Sequence, residues 1–349
     1  HLSIRRQRQM CIRDSTMTAF IEVKNLKKYF PLQKGFLETI LARKIEYVRA
    51  VDDISFEVER GEIFGLAGES GSGKTTTGRL ILRLIEPTGG EVLFDKVNIF
   101  SLKKEELRNF RRHMQIIFQD PTASLNPRMK VGDAVGHPLQ IYGIGPKEEK
   151  KKKVFEVLER VGLSPAQGFY EKYPHQLSGG QRQRVVIARA LILNPEFIVA
   201  DEPVAMIDVS LRAQIMDLMV SLRDEFNLTF LYITHDLATA KYICDKIAIM
   251  YLGKIVETGL KDHIFDTPMH PYTISLLSAV PVPNPRLKPQ RIIPKGEIPS
   301  PINPPSGCRF HPRCLIATEE CSQEEPKPQR IGPNHYVACY HPGEIIKPK

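Results

Sequence analysis

Ile63-Phe64-Gly65-Leu66-Ala67-Gly68-Glu69-Ser70-Gly71-Ser72-Gly73-Lys74-Thr75 joins a short apolar run to a glycine-rich turn, and a helix-like segment follows at once. The run Ile63 to Ala67 is continuously apolar, as a strand buried on both faces must be. The turn meets the pattern G-x-x-x-x-G-K-[ST] through Gly68, Gly73, Lys74 and Thr75. Glycines let backbone N–H groups turn inward around a phosphate, and a helix N-terminus adds its positive dipole end. Lys74 reaches the terminal phosphates, and Thr75 offers a hydroxyl to Mg²⁺. Ser70, Gly71, Ser72 and Thr76 complete the expected phosphate-binding set. From Thr76 to Ile85 the apolar residues fall at helical spacing and stop before Pro87 and Gly89-Gly90, so strand, loop and helix are expected in that order.

Outward from this unit, alternation over Phe20 to Val23 and Ala50 to Val58 predicts half-buried antiparallel strands. Lys147 to Val161 predicts a helix with Val154, Val157, Leu158 and Val161 on one stripe and its lysines in solvent. Phe197 to Ala200 and Thr229 to Ile233 read as two more buried strands separated by helix-like sequence. Such alternation implies a parallel sheet with helices on both faces. The 349 residues allow more than one domain, and 42% hydrophobic with 26% charged content is that of a globular chain. The net charge of +9 fits nucleic acid, an anionic surface or phosphate ligands equally well. No run of about 18 apolar residues occurs, so no transmembrane helix is expected. Residues 1–16 lack apolar periodicity and read as an added or mistranslated leader, expected to be disordered, ahead of Met17.

The second set of motifs narrows the chemistry. Phe197-Ile198-Val199-Ala200-Asp201-Glu202 is a strand ending in two carboxylates. Asp201 suits a water-mediated hold on Mg²⁺, and Glu202 suits the general base that activates water. Leu177-Ser178-Gly179-Gly180-Gln181 is a second glycine-rich turn that opens a helix. With these motifs in this order, residues 17 to about 265 resemble the ATP-binding cassette (ABC) family. The resemblance implies a P-loop NTPase (RecA-like) α/β fold with an antiparallel β subdomain and a helical subdomain at about 120–190. It also implies that two cassettes pair head to tail, so that Ser178, Gly179, Gly180 and Gln181 of one close over ATP held by the other. By the same resemblance Gln119 senses Mg²⁺ and water, His235 contacts the γ phosphate, Tyr29 stacks on adenine, and Asp208 makes an acidic contact. The family's Ser-Ala-Leu-Asp is Ala205-Met206-Ile207-Asp208 here, so a hydrogen bond from that serine is missing.

From Pro268 onward the composition changes, since 17 of the 27 prolines lie there, and proline limits helix and sheet. Within that tail Cys308, Cys314, Cys321 and Cys339 are separated by five, six and seventeen residues in a segment poor in apolar side chains. A metal staple would supply order. Four thiolates suit an iron–sulfur cluster, zinc with help from His311, His335 or His341 is an alternative, and reduced free thiols are a third. Cys11 falls in the leader, and Cys244 reads as a buried structural thiol. His270-Pro271-Tyr272-Thr273, Leu276-Leu277 and Pro281, the insert Pro31 to Val48 and the run Pro299 to Cys308 resemble oligopeptide and dipeptide importer ATPases. In some dipeptide importers the cysteine spacing implies a [4Fe-4S] cluster. The expected division is therefore a cassette at 17–267 and an extension at 268–349. The resemblance further implies a sister ATPase subunit, two membrane permease subunits, an extracytoplasmic peptide-binding protein, and a peripheral place on the cytoplasmic face of the membrane. Asp120 to Asn126 are candidates for touching the permeases. A nickel or other solute importer is the alternative cargo reading, and a soluble nucleic-acid-associated ATPase with a zinc-bound tail is the alternative of another class, although no nucleic acid is expected.

Overall fold

A computed structural model describes residues 19–32, 46–280 and 291–344. The leader, most of the Pro31 to Val48 insert, and Pro281 lie outside the described residues. The described chain opens with β1 (Ile21–Pro31) and β2 (Tyr47–Val58), then β3 (Ile63–Ala67), β4 (Gly89–Phe94), β5 (Val97–Asn98) and β6 (Met114–Ile117). It continues through β7 (Phe197–Asp201), β8 (Thr229–Thr234), β9 (Lys246–Tyr251), β10 (Lys254–Leu260), β11 (Gln329–Gly332) and β12 (His335–Val337).

Two sheets result. The smaller runs β2-β1-β4-β5 and is antiparallel throughout. Its strand β1 extends well past Val23, because Leu26 to Pro31 continue to pair with β2 through register shifts that the alternation pattern does not reveal. The larger runs β11-β12-β10-β9-β3-β8-β7-β6. Its centre, β9-β3-β8-β7-β6, is parallel, as the alternating sequence requires, whereas β10 and the β11–β12 hairpin add antiparallel strands at one edge. Every residue of β3, β7 and β8 is buried, which explains their unbroken apolar runs.

The predicted helix is present at Lys147–Arg160, with Val154, Val157 and Leu158 buried. Each of these contributes roughly 1.5–3 kcal/mol relative to exposure, so a charge at Leu158 would uncouple this helix from its neighbours. With Pro121–Ser124, Val131–Ile141, Ala166–Tyr170 and Gly179–Leu191 it makes up the helical part between β6 and β7. The helix after the glycine-rich turn starts at Lys74 and ends at Ile81.

The proline-rich tail is ordered by docking, not by a core of its own. The helix Pro271–Ser278 buries Tyr272, which joins Phe310, Cys314, Tyr251 and Val256 in the main hydrophobic core. Strand β12 pairs with β10 through Glu257↔Val337 and Thr258↔Tyr336. Glu257, 1% exposed, accepts hydrogen bonds from the backbone of Met269 (2.8 Å) and His270 (3.0 Å) and lies 2.8 Å from His335 Nε2.

Candidate functional site

The turn after β3 is shaped by its glycines. Gly73 has φ 105°, and a Cβ there would lie 2.1 Å from the Ala50 carbonyl oxygen; Gly68 would clash equally with Met250 O. The chain therefore folds back on itself at a distance that only glycine permits. Lys74, 5% exposed, donates to Gly68 O and Glu69 O, both at 2.8 Å, and to Ser72 Oγ at 3.3 Å. Burial lowers its pKa, while Glu202, Asp201 and Glu69 oppose that shift. The ammonium thus sits inside a cradle of carbonyls. Gly71 and Ser70 are exposed at the rim, and Ser72 is buried beneath.

Thr75 Oγ1 donates to Asp201 Oδ1 at 2.9 Å, which joins the start of the helix Lys74–Ile81 to the end of β7. Asp201 is buried, and that burial raises its pKa. A hydroxyl beside a partly desolvated carboxylate is a hard oxygen pair suited to Mg²⁺. One residue on, Glu202 leaves the strand with φ 48°, a left-handed conformation unusual for glutamate. Its carboxylate is bracketed, with Gln119 Nε2 donating to Oε2 at 2.7 Å and His235 Nδ1 lying 2.8 Å from Oε1. Glu202 and His235 line a small cleft with Ala205, Arg212, Thr234 and Asp236. Three residues 83 and 33 positions apart in sequence thus meet at the ends of β6, β7 and β8.

The second glycine-rich turn lies at the start of another helix. Ser178 caps Gly179–Leu191, accepting from Gln181 N at 3.3 Å while Gln181 Oε1 accepts from Ser178 N at 3.0 Å. This reciprocal pair satisfies two N-terminal donors. Ser178 is exposed. Asp208 starts the helix Val209–Phe226 and is exposed, as are Met206 (61%) and Val209 (77%) beside it. Tyr29 lies in β1, half-buried, with its hydroxyl donating to Asp52 and the Arg49 guanidinium over its ring at 5.8 Å. Burial and the hydrogen bond to Asp52 push its pKa up to about 12. Asp120 caps Pro121–Ser124, and Arg182 donates to Thr122 Oγ1 at 3.0 Å.

The expected cluster is corrected. Cys308, Cys314, Cys321 and Cys339 do line one small apolar cavity with His270, Phe310, His311 and His341. They are free thiols, and among the described residues no group of three or more His, Cys, Asp or Glu is placed to hold a metal ion. Neither a [4Fe-4S] cluster nor zinc has a site here, and the metal-binding and iron–sulfur expectations fail with it. The physical reasons are visible. Desolvation in this apolar cavity disfavours the thiolate, pushing Cys308 up to about 11 and Cys339 up to about 12 and also raising Cys314, and thiolate is the form that ligates. The imidazoles are engaged elsewhere, His335 with Glu257, His311 with Cys308 O, and His341 with Thr318 and Glu344. Docking on the cassette supplies the order that a metal was expected to give.

Reading the sequence also missed a group of contacts. Tyr272 Oη accepts from Glu69 N at 2.9 Å, Arg313 donates to Glu69 Oε2 at 3.0 Å, and Arg309 donates to Asp52 Oδ2. The partners lie some 200 or more residues apart, and no local pattern announces such pairs.

Among the described residues no helix is long and apolar enough to cross a membrane. The ABC transporter family matches residues 51–205, and the oligopeptide/dipeptide transporter C-terminal region matches residues 256–321. The chain is 48% identical over 323 residues to the oligopeptide transport ATP-binding protein AppF of Bacillus subtilis, covering 92% of this chain and 96% of that one. It is 45% identical over 324 residues to the dipeptide transport ATP-binding protein DppF of Haemophilus influenzae, covering 93% and 97%. In structure it is similar to the ATP-binding cassette MJ0796, solved as a dimer in a post-hydrolysis state bound to ADP and Pi, with TM-score 0.60, 32% identity, and coverage of 69% of this chain and 98% of that one. Phosphate turn, bracketed carboxylate, capped signature turn and docked extension are those of one family, and this chain belongs to the ATP-binding subunits of oligopeptide/dipeptide ABC transporters.

Proposed function

We propose that the chain hydrolyses ATP to drive import of oligopeptides or dipeptides, with Lys74 and the turn from Gly68 to Thr76 holding the phosphates and Glu202 acting as general base. The observation that carries this reading is the bracket on Glu202, held between Gln119 at 2.7 Å and His235 at 2.8 Å. Two hydrogen-bond partners keep the carboxylate in one orientation beside the Thr75–Asp201 pair, so a water bound there meets an aligned acceptor. Mg²⁺, when bound, would neutralise phosphate charge, and Thr75, Asp201 and Gln119 would hold it. Lys74 directs its charge toward the terminal phosphates, and His235 orients the water and the γ phosphate. Tyr29 supplies an aromatic face for adenine.

Ser178, Gly179, Gly180, Gln181 and Asp208 act on the nucleotide of a second cassette. The exposure of Ser178 and Asp208 at the starts of two helices supports that assignment, because a helix N-terminus facing outward can receive an anion from another subunit. In this reading the second cassette is a sister ATPase. The pair sits on two permease subunits at the cytoplasmic face of the membrane, touching them through Asp120 to Asn126, and a peptide-binding protein delivers the cargo. The cassette occupies 17–267 and the extension 268–349.

Glu202→Gln tests the assignment. Removing the base should lower kcat of the assembled transporter by about 10²- to 10⁴-fold while ATP binding persists. A variant that hydrolyses ATP within a few fold of wild type would move the base elsewhere.

A further inference from the structure

Glu69 is the first residue after the opening glycine of the phosphate turn, and all three of its polar groups are committed. Its carbonyl accepts from Lys74 Nζ at 2.8 Å. Its backbone N–H donates to Tyr272 Oη at 2.9 Å, and its carboxylate accepts from Arg313 Nη1 at 3.0 Å. Both outer partners belong to the C-terminal extension. Tyr272 is fully buried, its ring 4.6 Å from that of Tyr251 and 5.3 Å from that of Phe310. Its helix is fixed from behind, where His270 Nδ1 accepts from Tyr272 N at 3.0 Å and Glu257 accepts from His270 N at 3.0 Å. Arg313 is 8% exposed and reaches Tyr251 Oη at 3.5 Å.

Four residues before Arg313, the buried Arg309 donates to Leu252 O and to Asp52 Oδ2, while Asp52 Oδ1 accepts from Tyr29. One short loop of the extension therefore grips both the phosphate turn and the aromatic residue at the base end.

We propose that Tyr272 and Arg313 are positioning residues through which the C-terminal extension fixes Glu69, and with it the phosphate turn and Lys74, so that the extension sets ATP affinity. This rests on the reading that the turn from Gly68 to Thr76 holds the phosphates. A contact behind the turn acts on bound ATP and on its transition state alike, so it changes binding and leaves kcat in place.

The test uses the full chain for ATP titration and the assembled transporter for kinetics. Tyr272→Phe keeps the ring packing and removes the one acceptor. The dissociation constant for Mg-ATP should rise roughly tenfold, KM should rise with it, and kcat should stay within about twofold. Arg313→Ala should do the same, and Arg313→Lys should restore most of the affinity because it retains a donor. Glu69→Ala combined with Arg313→Ala should weaken binding less than the two single effects together, as partners in one contact do. Affinity within twofold of wild type in both Tyr272→Phe and Arg313→Ala would overturn the proposal, as would a fall in kcat at unchanged KM. Lys74→Ala is the control. If it too binds ATP normally, the phosphate-turn reading itself fails; if it alone loses binding, only the role of the extension is wrong.

Discussion

The phosphate turn and the cysteine-bearing loop of the extension are both irregular, both rich in residues that break helices, and both lined with chemically distinctive side chains. They differ in what fixes them. The turn between Gly68 and Thr75 is closed first from within, by its own glycines and by Lys74 bonding to its carbonyls, and the extension reaches it only at Glu69. The loop from Cys308 to Cys339 owes its shape to distant partners, with Arg309 on Asp52, Arg313 on Glu69, Phe310 against Tyr251 and β12 along β10. A locally closed loop carries its function in its spacing. A loop closed by docking does not, and its cysteines line a cavity for reasons of packing.

Substitution in the turn should give the largest effect. Gly73→Ala places a methyl 2.1 Å from a backbone oxygen at φ 105° and should cost about 3 kcal/mol or more, with ATP binding falling beyond a hundredfold in titration. Gly71→Ala, with nothing within 4 Å and φ 79°, should cost only about 1 kcal/mol. Equal effects at the two positions would mean that close approach does not shape the turn.

Docking of the extension should respond to pH. Burial lowers the pKa of His270 from 6.5 to about 4, and the unfolded imidazole titrates near its ordinary value. Between these values unfolding takes up a proton. Stability is therefore complete above about pH 6.5 and falls as pH drops toward about 4, by on the order of 3 kcal/mol. Thermal melts at about pH 7.5 and about pH 4.5 should show His270→Asn, which keeps a helix-capping acceptor, losing less than wild type. An equal loss in both would place the acid sensitivity elsewhere.

The smallest expected effect is none at all. Treating the nucleotide-free chain with iron and zinc chelators should leave its melting temperature unchanged, because docking, not metal, orders the extension. A marked fall would erase the contrast between the two loops.

Legibility follows the same division. Strands β3, β7 and β8, the helix at Lys147–Arg160 and the phosphate turn were readable because period, burial and glycine spacing are local properties. Asp201 and Glu202 were readable from the strand that ends in them. That Gln119 and His235 close on the Glu202 carboxylate follows from the parallel order β6-β7-β8, which brings three strand ends together. The path of β1 beyond Val23 was hidden by register shifts. Cysteine spacing suggested a cluster because the segment lacks apolar residues of its own, and one sequence cannot show that it borrows Tyr251 and Val256 from the cassette.

The β11–β12 hairpin has one more effect. Without it β10 would end the sheet and present a row of free amides and carbonyls, the kind of border on which another chain can align as a further strand. The extension pairs the middle of that border, at Glu257 and Thr258, with a strand from the same molecule, and the new outermost strand is only the four residues Gln329–Gly332, one of them glycine. The tail thus shortens the stretch of open strand edge on which a second molecule could align.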